Sequence, residues 1–395
     1  MSDSGDGKAW GTAFKRIQEG INAASDGDTV MVAEGSYVEN IQFNGKNIVL
    51  RSTDPLDSDL VANTIIDGNR AGCVVSFSGT ENERCILSGF TIRNGESWGS
   101  GGGIWGSFFS RSTRARIENN VIAGNSGNPV GGGLWKCNGT IRNCTIRGNS
   151  AAYGGGLWKC NGTIQNCSIA GNSTTSAGGG LYGCNGRIEN CIISGNSTSW
   201  SGSGGGLYKC NGAIRNCTIT GNSTTINGGG LSSCSGMIQN CTISGNLPVK
   251  YGGGLYGCNG TIENCTISGN LNQKYGGGLY GCNGTIRNCS ITGNWTLTNG
   301  GGLHSCTGTI VNCIIWGNRG PQYPQLVASS APPYSCIQDW DWAAVGEGNI
   351  ADAPRFLRSG YWDDAGTPFD RKDDVWVEGD YRLLPGSPCI DAGKN

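Results

Sequence analysis

One unit of sequence, GGGL(W/Y)xCNGTIxNCTIxGN, recurs eight times in nearly the same letters and constrains this chain more than any other feature. The GGG of the copies starts at 131, 154, 178, 204, 228, 252, 276 and 300, and a more degenerate copy begins at Gly101. The period of about 24 residues is typical of solenoids, in which each copy stacks on its neighbours. The repeat therefore predicts a stacked architecture for roughly half of the chain.

Each copy contains two short runs of β character, GLWKC and TIRNCTI in the first copy, separated by Asn-Gly and closed by Gly-Asn. Both dipeptides are typical of turns. The copies lack apolar residues at i, i+3, i+4 and i+7 over the length of a helix, so a helical solenoid is excluded. We predict an all-β solenoid of short parallel strands, with like residues aligned from rung to rung.

Five positions of the first regular copy stay apolar in its repeats while their neighbours vary, and we predict that they face inward: Leu134, Cys137, Ile141, Cys144 and Ile146. After Ile141 the alternation of inward and outward residues shifts by one position, which requires a bend at an asparagine. Asparagine tolerates the left-handed backbone region of a tight corner. The triple glycine suits either positive φ or close packing. The corner asparagines, which we expect to bond to one another along the stack, are Asn143, Asn166, Asn190, Asn216, Asn240, Asn264, Asn288 and Asn312.

The residue before each corner asparagine is expected to face water. It follows an order of Glu, Arg and Gln from rung to rung, which avoids stacking like charges in a parallel ladder. Each exposed pair contributes only about 0 to 1 kcal/mol, so the ladder selects the register more than it stabilises the fold. The expected neighbours are Glu118 with Arg142, Glu189 with Arg215, and Glu263 with Arg287.

The charge balance excludes one class of partner. The chain has 28 Lys and Arg against 29 Asp and Glu, and its formal net charge is −1, without a basic run. A phosphate binder needs clustered positive charge, so we expect no nucleic-acid partner. The sequence contains no stretch of about 18 apolar residues, which argues against a membrane span. The polar start, MSDSGDG, is typical of a mature or trimmed N-terminus, and the oligomeric state is left open.

Sixteen of the twenty cysteines form C-x6-C pairs, one in each regular copy, and the degenerate copy at Gly101 lacks both. Joint presence and absence is what a bonded pair predicts, and in-rung disulfides would indicate an oxidising compartment. Reduced ladders of small buried side chains and bonds between adjacent rungs are the alternatives, whereas the spacing does not match zinc sites. The candidate disulfides are Cys137 with Cys144, Cys160 with Cys167, Cys184 with Cys191, Cys210 with Cys217, Cys234 with Cys241, Cys258 with Cys265, Cys282 with Cys289, Cys306 with Cys313, Cys73 with Cys85, and Cys336 with Cys389.

The two ends of the chain depart from the repeat. Phe14, Ile17 and Ile21 fall at helical spacing within residues 12–25, which predicts an amphipathic helix across the open end of the column. After Gly320 the composition changes to Pro, Trp and Asp, and the period is lost. We divide the chain into an N-terminal capping helix and entry (1–30), irregular first coils (31–130), regular repeats (131–319) and an irregular C-terminal cap (320–395).

Seven aspartates of the C-terminal cap form an acidic cluster in the sequence. Carboxylate oxygens are the ligands that Ca²⁺ prefers, so a calcium site is one interpretation and solvated loop acids are the other. We expect no other cofactor. The aspartates are Asp339, Asp341, Asp363, Asp364, Asp370, Asp373 and Asp374.

The N-terminal helix, DGDTVMVAEGSYVENI, the NCTISGN-type rungs and the closing LLPGSPCIDAG together resemble secreted bacterial right-handed parallel β-helix proteins of the pectate-lyase-like superfamily. The resemblance spans nearly the whole chain and is strongest to planctomycete-type surface proteins with a choice-of-anchor-like C-terminal segment. It implies a right-handed parallel β-helix, an extracellular or cell-surface location and carbohydrate chemistry, because the enzymes of this superfamily are polysaccharide lyases and hydrolases. The outward carboxylates Glu189 and Glu263 are three rungs apart, beyond the ~5 to 10 Å of paired glycosidase acids, so we assign no catalytic residue.

A row of aromatic residues follows the core leucines and is expected to point outward. Exposed apolar stripes of this length commonly meet a partner, so a polysaccharide or cell-surface glycan is one interpretation; mutual stacking of the rings and cover by the C-terminal cap are the others. The sequence thus favours a non-catalytic scaffold or adhesin, with a polysaccharide lyase or glycoside hydrolase and a fibre-forming structural protein as alternatives. The candidate ligand-binding residues are Trp105, Trp135, Trp158, Tyr182, Tyr208, Tyr256, Tyr280 and His304.

Overall fold

The chain folds as a right-handed parallel β-helix of about 13 turns, which confirms the predicted fold class. The structure, a computed structural model, describes residues 5–99, 101–108, 111–248, 250–340, 346–364, 366 and 374–393. It divides into two compact units, residues 1–192 and 193–395. None of the helices in these described ranges is long and apolar enough to cross a membrane.

Three parallel sheets recur in both units, because each rung contributes one short strand to each sheet. The strands that carry the core leucine and its aromatic neighbour form the aromatic sheet. The strands that precede the corner asparagine form the charged sheet, and those that follow it form the threonine sheet. Strand Ile192–Ser194 spans the division between the units.

The first unit contains six strands of the aromatic sheet: Ile41–Gln42, Val75–Ser76, Ile104–Trp105, Leu134–Trp135, Leu157–Trp158 and Leu181–Tyr182. Its charged sheet consists of Thr29–Val32, Val49–Ser52, Ile86–Ser88, Arg116–Glu118, Thr140–Arg142, Thr163–Gln165 and Arg187–Glu189. Its threonine sheet consists of Gly35–Val38, Thr64–Asp67, Thr91–Arg93, Val121–Ala123, Thr145–Arg147 and Ser168–Ala170. A fourth parallel sheet holds Glu96–Trp98, Ser126–Val130, Ser150–Tyr153 and Ser173–Ala177, and an antiparallel hairpin pairs Ser107–Phe108 with Arg111–Ser112.

The second unit continues the same sheet types. Its aromatic sheet consists of Leu207–Tyr208, Leu231–Ser232, Leu255–Tyr256, Leu279–Tyr280, Leu303–His304 and Leu326–Val327. Its charged sheet consists of Ile214–Arg215, Met237–Gln239, Thr261–Glu263, Thr285–Arg287 and Thr309–Val311. Its threonine sheet consists of Thr218–Thr220, Thr242–Ser244, Thr266–Ser268, Ser290–Thr292, Ile314–Trp316 and Cys336–Ile337. Shorter parallel strands are Ser197–Thr198, Ser223–Thr224, Leu247–Pro248, Leu271–Asn272 and Trp295–Thr296, and the antiparallel C-terminal pairs are Phe356–Arg358 with Asp380–Leu383 and Tyr361–Asp363 with Val375–Val377.

The predicted inward residues form the core. Leu134, Cys137 and Ile146 are fully buried, and Ile141 and Cys144 are at most 2% exposed. Like residues lie directly above one another, as the register of Leu134 with Leu157 shows. Full burial of each Leu or Ile contributes roughly 1.5 to 3 kcal/mol, so every rung adds to the stability of its neighbours.

The predicted corner asparagines adopt left-handed backbone conformations. The φ of Asn143 is 52°, and that of Asn240 is 54°. Their amides bond along the stack: Asn143 Nδ2 donates to Asn119 Oδ1 at 3.1 Å, and Asn240 Nδ2 donates to Asn216 Oδ1 at 3.2 Å. The change of strand direction and the asparagine ladder therefore arise at the same residue.

A second asparagine ladder, made by the closing Gly-Asn of each copy, is buried and was not predicted. Asn149 is 0% exposed, and its Nδ2 donates both to Ile122 O at 2.9 Å and to Asn172 Oδ1 at 3.0 Å. In the second unit, Asn246 Nδ2 bonds in the same way to Ile219 O and Asn270 Oδ1. Burial of an amide is tolerated only when its polar atoms are paired, and the stacked copies provide that pairing.

The triple glycine serves both of the purposes expected for it. The φ of Gly131 is 64°, a region that favours glycine. A Cβ on Gly132 would overlap the carbonyl oxygens of Ser150 and Gly155. The second glycine is thus required because two backbones approach each other closely.

The N-terminal helix is shorter than predicted. An α-helix spans Ile17–Ala23 and buries Ile17 and Ile21, while Trp10–Thr12 forms a separate 3-10 turn. Glu39 accepts hydrogen bonds from the backbone N–H of Ile17 at 2.9 Å and of Gln18 at 3.1 Å, so a distant carboxylate caps the first turn. A second helix, Ser58–Asn63, begins after Asp57, whose side chain accepts from two backbone N–H groups.

Candidate functional site

The outward side chains of the aromatic sheet form the candidate site. Strand alternation places Leu134 in the core and leaves Trp135 half-buried, and the same pattern holds for Leu255 and Tyr256. The candidate residues therefore lie side by side on one face within each unit, at the spacing of the rungs.

Four rings form the row on this face in the first unit, and Tyr153 packs edge-on against the last of them, Tyr182, at 5.6 Å. The ring centroids of Trp105 and Trp135 are 5.8 Å apart with an interplanar angle of 22°, and those of Trp158 and Tyr182 are 6.4 Å apart at 20°. Trp135 and Trp158 are 5.9 Å apart but tilted by 37°. The rings are therefore stacked at both ends of the row and tilted between the two central indoles.

Two lysines extend over these indoles. Lys136 Nζ lies 5.0 Å from the ring centroid of Trp135 and 6.0 Å from that of Trp158, and Lys159 Nζ lies 4.4 Å from that of Trp158. A cation at this distance over an indole gains about 0.5 to 1 kcal/mol at exposed sites. Within the described ranges, neither lysine forms an ion pair with a carboxylate.

Both lysines occupy backbone conformations that disfavour a side chain. The φ of Lys136 is 50° and that of Lys159 is 49°, whereas the next copy has Gly183 at the same position with φ 61°. A residue with a Cβ costs about 1 kcal/mol in the left-handed region, which glycine avoids. The lysines thus stand where the repeat also accepts glycine, and such local strain commonly accompanies function.

The second unit carries a different row. Tyr256 and Tyr280 stack at 5.6 Å with an interplanar angle of 3°, and Tyr280 stacks on His304 at 5.2 Å. Ser232 is buried in register between Tyr208 and Tyr256 and interrupts the row. The continuous part of this row therefore consists of three rings.

Two tyrosines that sequence reasoning missed flank these three rings. Tyr251 and Tyr275 stack on each other at 5.9 Å and 7°, and they approach Tyr280 at 4.9 Å and His304 at 4.7 Å, respectively. The repeated KYGGGL at 250 and 274 is the signal that would have found them. The second unit thus holds a cluster of four tyrosines and one histidine.

Burial shifts the pKa values of this cluster in opposite directions. It lowers the pKa of His304, whose Nδ1 is 2.8 Å from Ser305 Oγ, and it raises the pKa of Tyr256. Near neutral pH the imidazole is therefore uncharged and the phenol keeps its proton. The cluster thus holds a neutral imidazole and, at Tyr256, a phenol that keeps its proton.

Glycine replaces lysine beside the central tyrosines of the second unit. Gly257 and Gly281 have φ of 59° and 61° and occupy the position of Lys136 in their copies. Lys209 Nζ lies 5.2 Å from the centroid of Tyr208, and Lys274 Nζ lies 5.9 Å from that of Tyr251. The positive charge in this unit is accordingly at the edges of the cluster.

The C-terminal cap packs on the threonine sheet of the second unit. Ser268 Oγ donates to the Glu378 carboxylate at 2.7 Å and 2.9 Å, and Trp362 Nε1 donates to Gly293 O at 3.3 Å. A Cβ on Gly269 would overlap the ring of Trp376, so this glycine makes room for the indole. These contacts lie on the threonine sheet, whereas the tyrosine cluster lies on the aromatic sheet and stays half-exposed.

All twenty cysteines, which lie within the described ranges, are free thiols in the structure, so the disulfide pairings stay predictions. The thiols of one rung face different groups: Cys137 Sγ donates to Trp135 O at 3.6 Å, and Cys144 Sγ donates to Arg142 O at 3.2 Å. Bonds between rungs are opposed by the sheet, which holds stacked Cβ atoms about 4.8 Å apart, whereas a disulfide needs about 3.8 Å. The in-rung pairs Cys160/Cys167, Cys184/Cys191, Cys210/Cys217, Cys234/Cys241, Cys258/Cys265, Cys282/Cys289 and Cys306/Cys313 are free in the same way, as are Cys73, Cys85, Cys336 and Cys389.

The ladder carboxylates are engaged in ion pairs. Glu118 lies between Arg142 Nε at 2.5 Å and Arg116 Nη2 at 3.0 Å, and Glu263 lies 3.0 Å from Arg287. The expected neighbours of Glu118 and Glu263 are thus found. These carboxylates fix the register of the charged sheet.

The acidic cluster of the cap falls only partly on described residues, because Asp341, Asp370 and Asp373 lie outside them. Among the residues that the structure does describe, no group of three His, Cys, Asp or Glu side chains is arranged to hold a metal ion. The calcium site therefore stays a prediction.

Comparison with known proteins gives a family match. The family described as "Right handed beta helix region" matches residues 74–233 and 226–332. Among solved structures, the chain is similar to the A-module of mannuronan C-5 epimerase AlgE6 from Azotobacter vinelandii, at 17% identity and a TM-score of 0.45 over 86% of this chain and 95% of that chain. It is also similar to the AlgE4 A-module from the same organism, at 13% identity and a TM-score of 0.27 over 85% of this chain and 95% of that chain. No curated protein matches the sequence.

Proposed function

The chain belongs to the right-handed β-helix family, and on that basis we propose that it is a non-catalytic protein that binds an acidic polysaccharide on the aromatic sheet of its first unit. The observation that carries the proposal is the pair Lys136 and Lys159, held in left-handed backbone beside Trp135 and Trp158. Their ammonium groups lie where a glycan on the indoles would present its carboxylates.

The chemistry of the site fits a sugar that carries negative charge. The tilted indoles offer apolar surface on which the C–H face of a pyranose ring packs, and the ammonium groups pair with carboxylates of the same chain. Lys136 is half-buried and Lys159 is exposed, so both ammonium groups lose little hydration free energy on pairing with a polymer in water. Several weak contacts along one polymer add up, because the ligand repeats as the rungs do.

An extracellular or cell-surface location follows from such a ligand, and we include it in the proposal together with the scaffold or adhesin role. The non-catalytic assignment rests on the carboxylates. Glu118 and Glu263 are bound to arginines, and a glycosidase needs two free carboxyl groups about 5 to 10 Å apart.

Affinity electrophoresis tests this proposal. The full chain is run in gels that contain polygalacturonate, alginate or a neutral β-glucan, and each mixture is assayed for unsaturated products and new reducing ends. We expect retardation by the two polyuronates that falls with added salt, because exposed charge pairs are screened, and we expect no product. Unchanged mobility in both polyuronate gels would overturn the proposal.

A second candidate function is that of a polysaccharide lyase acting at the tyrosine and histidine cluster of the second unit. The specific observation is that Tyr280 stacks on His304 at 5.2 Å and that burial keeps the imidazole neutral, so a general base lies beside a phenol. Elimination beside a uronate carboxylate requires such a pair. Accumulation of unsaturated products that His304→Ala abolishes and Lys136→Gly leaves intact would favour this candidate over the binding protein.

A further inference from the structure

Cys336 differs from the ladder cysteines in the direction of its side chain. It pairs in register with Ile314, and Ser335 takes the place that Cys313 occupies in the rung before. Because successive side chains of a strand point to opposite faces, Cys336 points out of the coil, whereas Cys313 points into it. Cys336 is nevertheless only 3% exposed.

The cover over Cys336 is the C-terminal segment, residues 387–393. Cys389 and Cys336 both line a cavity of about 110 Å³ together with Ala392 and Gly393. Cys336 Sγ donates to Asp352 O at 3.3 Å, and Ser387 Oγ donates to Pro354 O at 2.6 Å. Few other polar contacts hold this segment in the described part of the chain.

The two thiols line the same cavity. Their proximity lowers the pKa of the Cys389 thiol and raises that of Cys336. Cys389 is also the more accessible of the two, since it is half-buried. The thiolate is the attacking species in disulfide exchange, so Cys389 is the thiol that reacts first.

We propose that Cys336 and Cys389 form a disulfide that fastens the C-terminal segment to the last rung of the threonine sheet, while the other eighteen cysteines stay thiols. The oxidant is an external disulfide such as oxidised glutathione. The Cys389 thiolate attacks one of its sulfurs and releases one glutathione thiolate, and the Cys336 thiolate then displaces the second. Two electrons pass to the glutathione disulfide, and the two thiol protons end on two glutathione molecules.

Stacked ladder cysteines also lie near each other, since Cys160 Sγ is 3.4 Å from the backbone N of Cys137, but they are enclosed in the coil, where an external disulfide has no access. Cys144 Sγ, for example, donates to Arg142 O and Ile117 O inside the coil, and the hydrogen-bonded rungs hold neighbouring Cβ atoms too far apart for a bond. Cys336 and Cys389 belong to different segments, one of which lies at the end of the chain. Their approach therefore requires no compression of a sheet.

The experiment treats the full chain with oxidised glutathione, blocks the remaining thiols with an alkylating reagent, and maps the peptides by mass spectrometry. We expect one cross-linked peptide pair joining Cys336 to Cys389 and eighteen alkylated cysteines after unfolding. Limited proteolysis of the segment should be at least about tenfold slower in the oxidised protein. Twenty alkylated cysteines, or a cross-link within the ladders, would overturn the proposal.

Two variants distinguish the effect of the Cys336–Cys389 disulfide from general stabilisation. Cys389→Ser should stay fully reduced and lose the difference in proteolysis between oxidised and reduced samples. Cys85→Ser, which removes a buried cysteine elsewhere, should keep that difference. Equal proteolysis rates for the oxidised wild-type protein and Cys389→Ser would show that the disulfide does not fasten the C-terminal segment, even if it forms. The outcome is independent of polysaccharide binding.

Discussion

The same repeat presents two different surfaces in the two units. In the first unit, Trp135 and Trp158 lie beside lysines in left-handed backbone, and in the second unit, Tyr256 and Tyr280 lie beside glycines at the same rung position. The core residues and the corner asparagines are alike in both units. The backbone of the rung is therefore fixed by its buried ladders, so the two positions after the core leucine are free to carry different chemistry.

The largest expected effect on polysaccharide binding comes from removing the indoles of the first unit. Trp135→Ala with Trp158→Ala should reduce retention by polygalacturonate at least about 30-fold, because buried aromatic contacts of this kind contribute about 2 kcal/mol or more to binding. Affinity electrophoresis over a series of polymer concentrations measures the change. The matched variant Tyr256→Ala with Tyr280→Ala should leave retention close to that of the wild type.

If the tyrosine variant lost retention and the tryptophan variant kept it, the ligand would belong to the second unit and the comparison would be reversed. Thermal unfolding of both variants checks that each is folded. Since all four rings are half-exposed, their removal leaves the core intact.

The lysines should account for a smaller, charge-dependent part of binding. Lys136→Gly with Lys159→Gly should weaken retention by polyuronates about tenfold, because each exposed pair contributes up to about 1 kcal/mol. Retention by a neutral β-glucan, where it occurs, should not change. Stability should hold, since relief of left-handed strain, about 1 kcal/mol per residue, offsets the added backbone entropy of glycine.

The control for net charge is Lys8→Ala with Arg70→Gly. Both residues are exposed in the first unit, so this pair removes the same charge, and Arg70→Gly relieves left-handed backbone at one position, where the φ is 56°. A loss of polyuronate retention equal to that of the lysine variant would assign the effect to overall charge rather than to the indole face.

Lysines placed at the same rung position in the second unit should increase polyuronate retention, by less than the lysines of the first unit contribute. Gly257→Lys with Gly281→Lys places ammonium groups beside Tyr256 and Tyr280 in the backbone conformation that Lys136 already tolerates. We expect a few-fold increase in polyuronate retention at low salt, because tyrosine rings that stack at 3° expose less of their faces than tilted indoles. Gly257→Ser with Gly281→Ser is the uncharged control, since serine already occupies this position at Ser233 and Ser305, and it should show no increase.

The fold was predictable because its determinants recur at a fixed period. Leu134, Ile141 and Asn143 could be assigned because their positions keep the same residue types from copy to copy, so the apolar positions define the core and the recurring asparagine defines the corner. The buried ladder of Asn149 was not recognised. Asparagine is usually exposed, and only the stacked copy above supplies the amide partners that permit its burial.

The candidate site was predictable only in part. The row after the core leucines followed from alternation, but Tyr251 and Tyr275 precede the triple glycine, and the path of the chain through that turn sets where they lie. The position of the cap depends on contacts such as that of Ser268 with Glu378, between residues far apart in sequence. No local pattern encodes such contacts.

The smallest expected effect is a change of stability with pH that comes from His304, which lies in the second unit. Burial lowers the pKa of His304, so the unfolded chain binds a proton at a higher pH than the folded protein does. Stability should therefore be fully present above the ordinary histidine pKa of about 6.5 and fall as the pH drops through the lower, folded value. The side chains stacked on the imidazole are those of Tyr275 and Tyr280. The urea midpoint, plotted against pH between about pH 8 and pH 5, should have a flatter slope for His304→Gln than for the wild type. The control Tyr182→Gln, at the end of the first row, should keep the wild-type slope. Equal slopes for all three proteins would show that the tyrosine cluster does not hold the imidazole neutral.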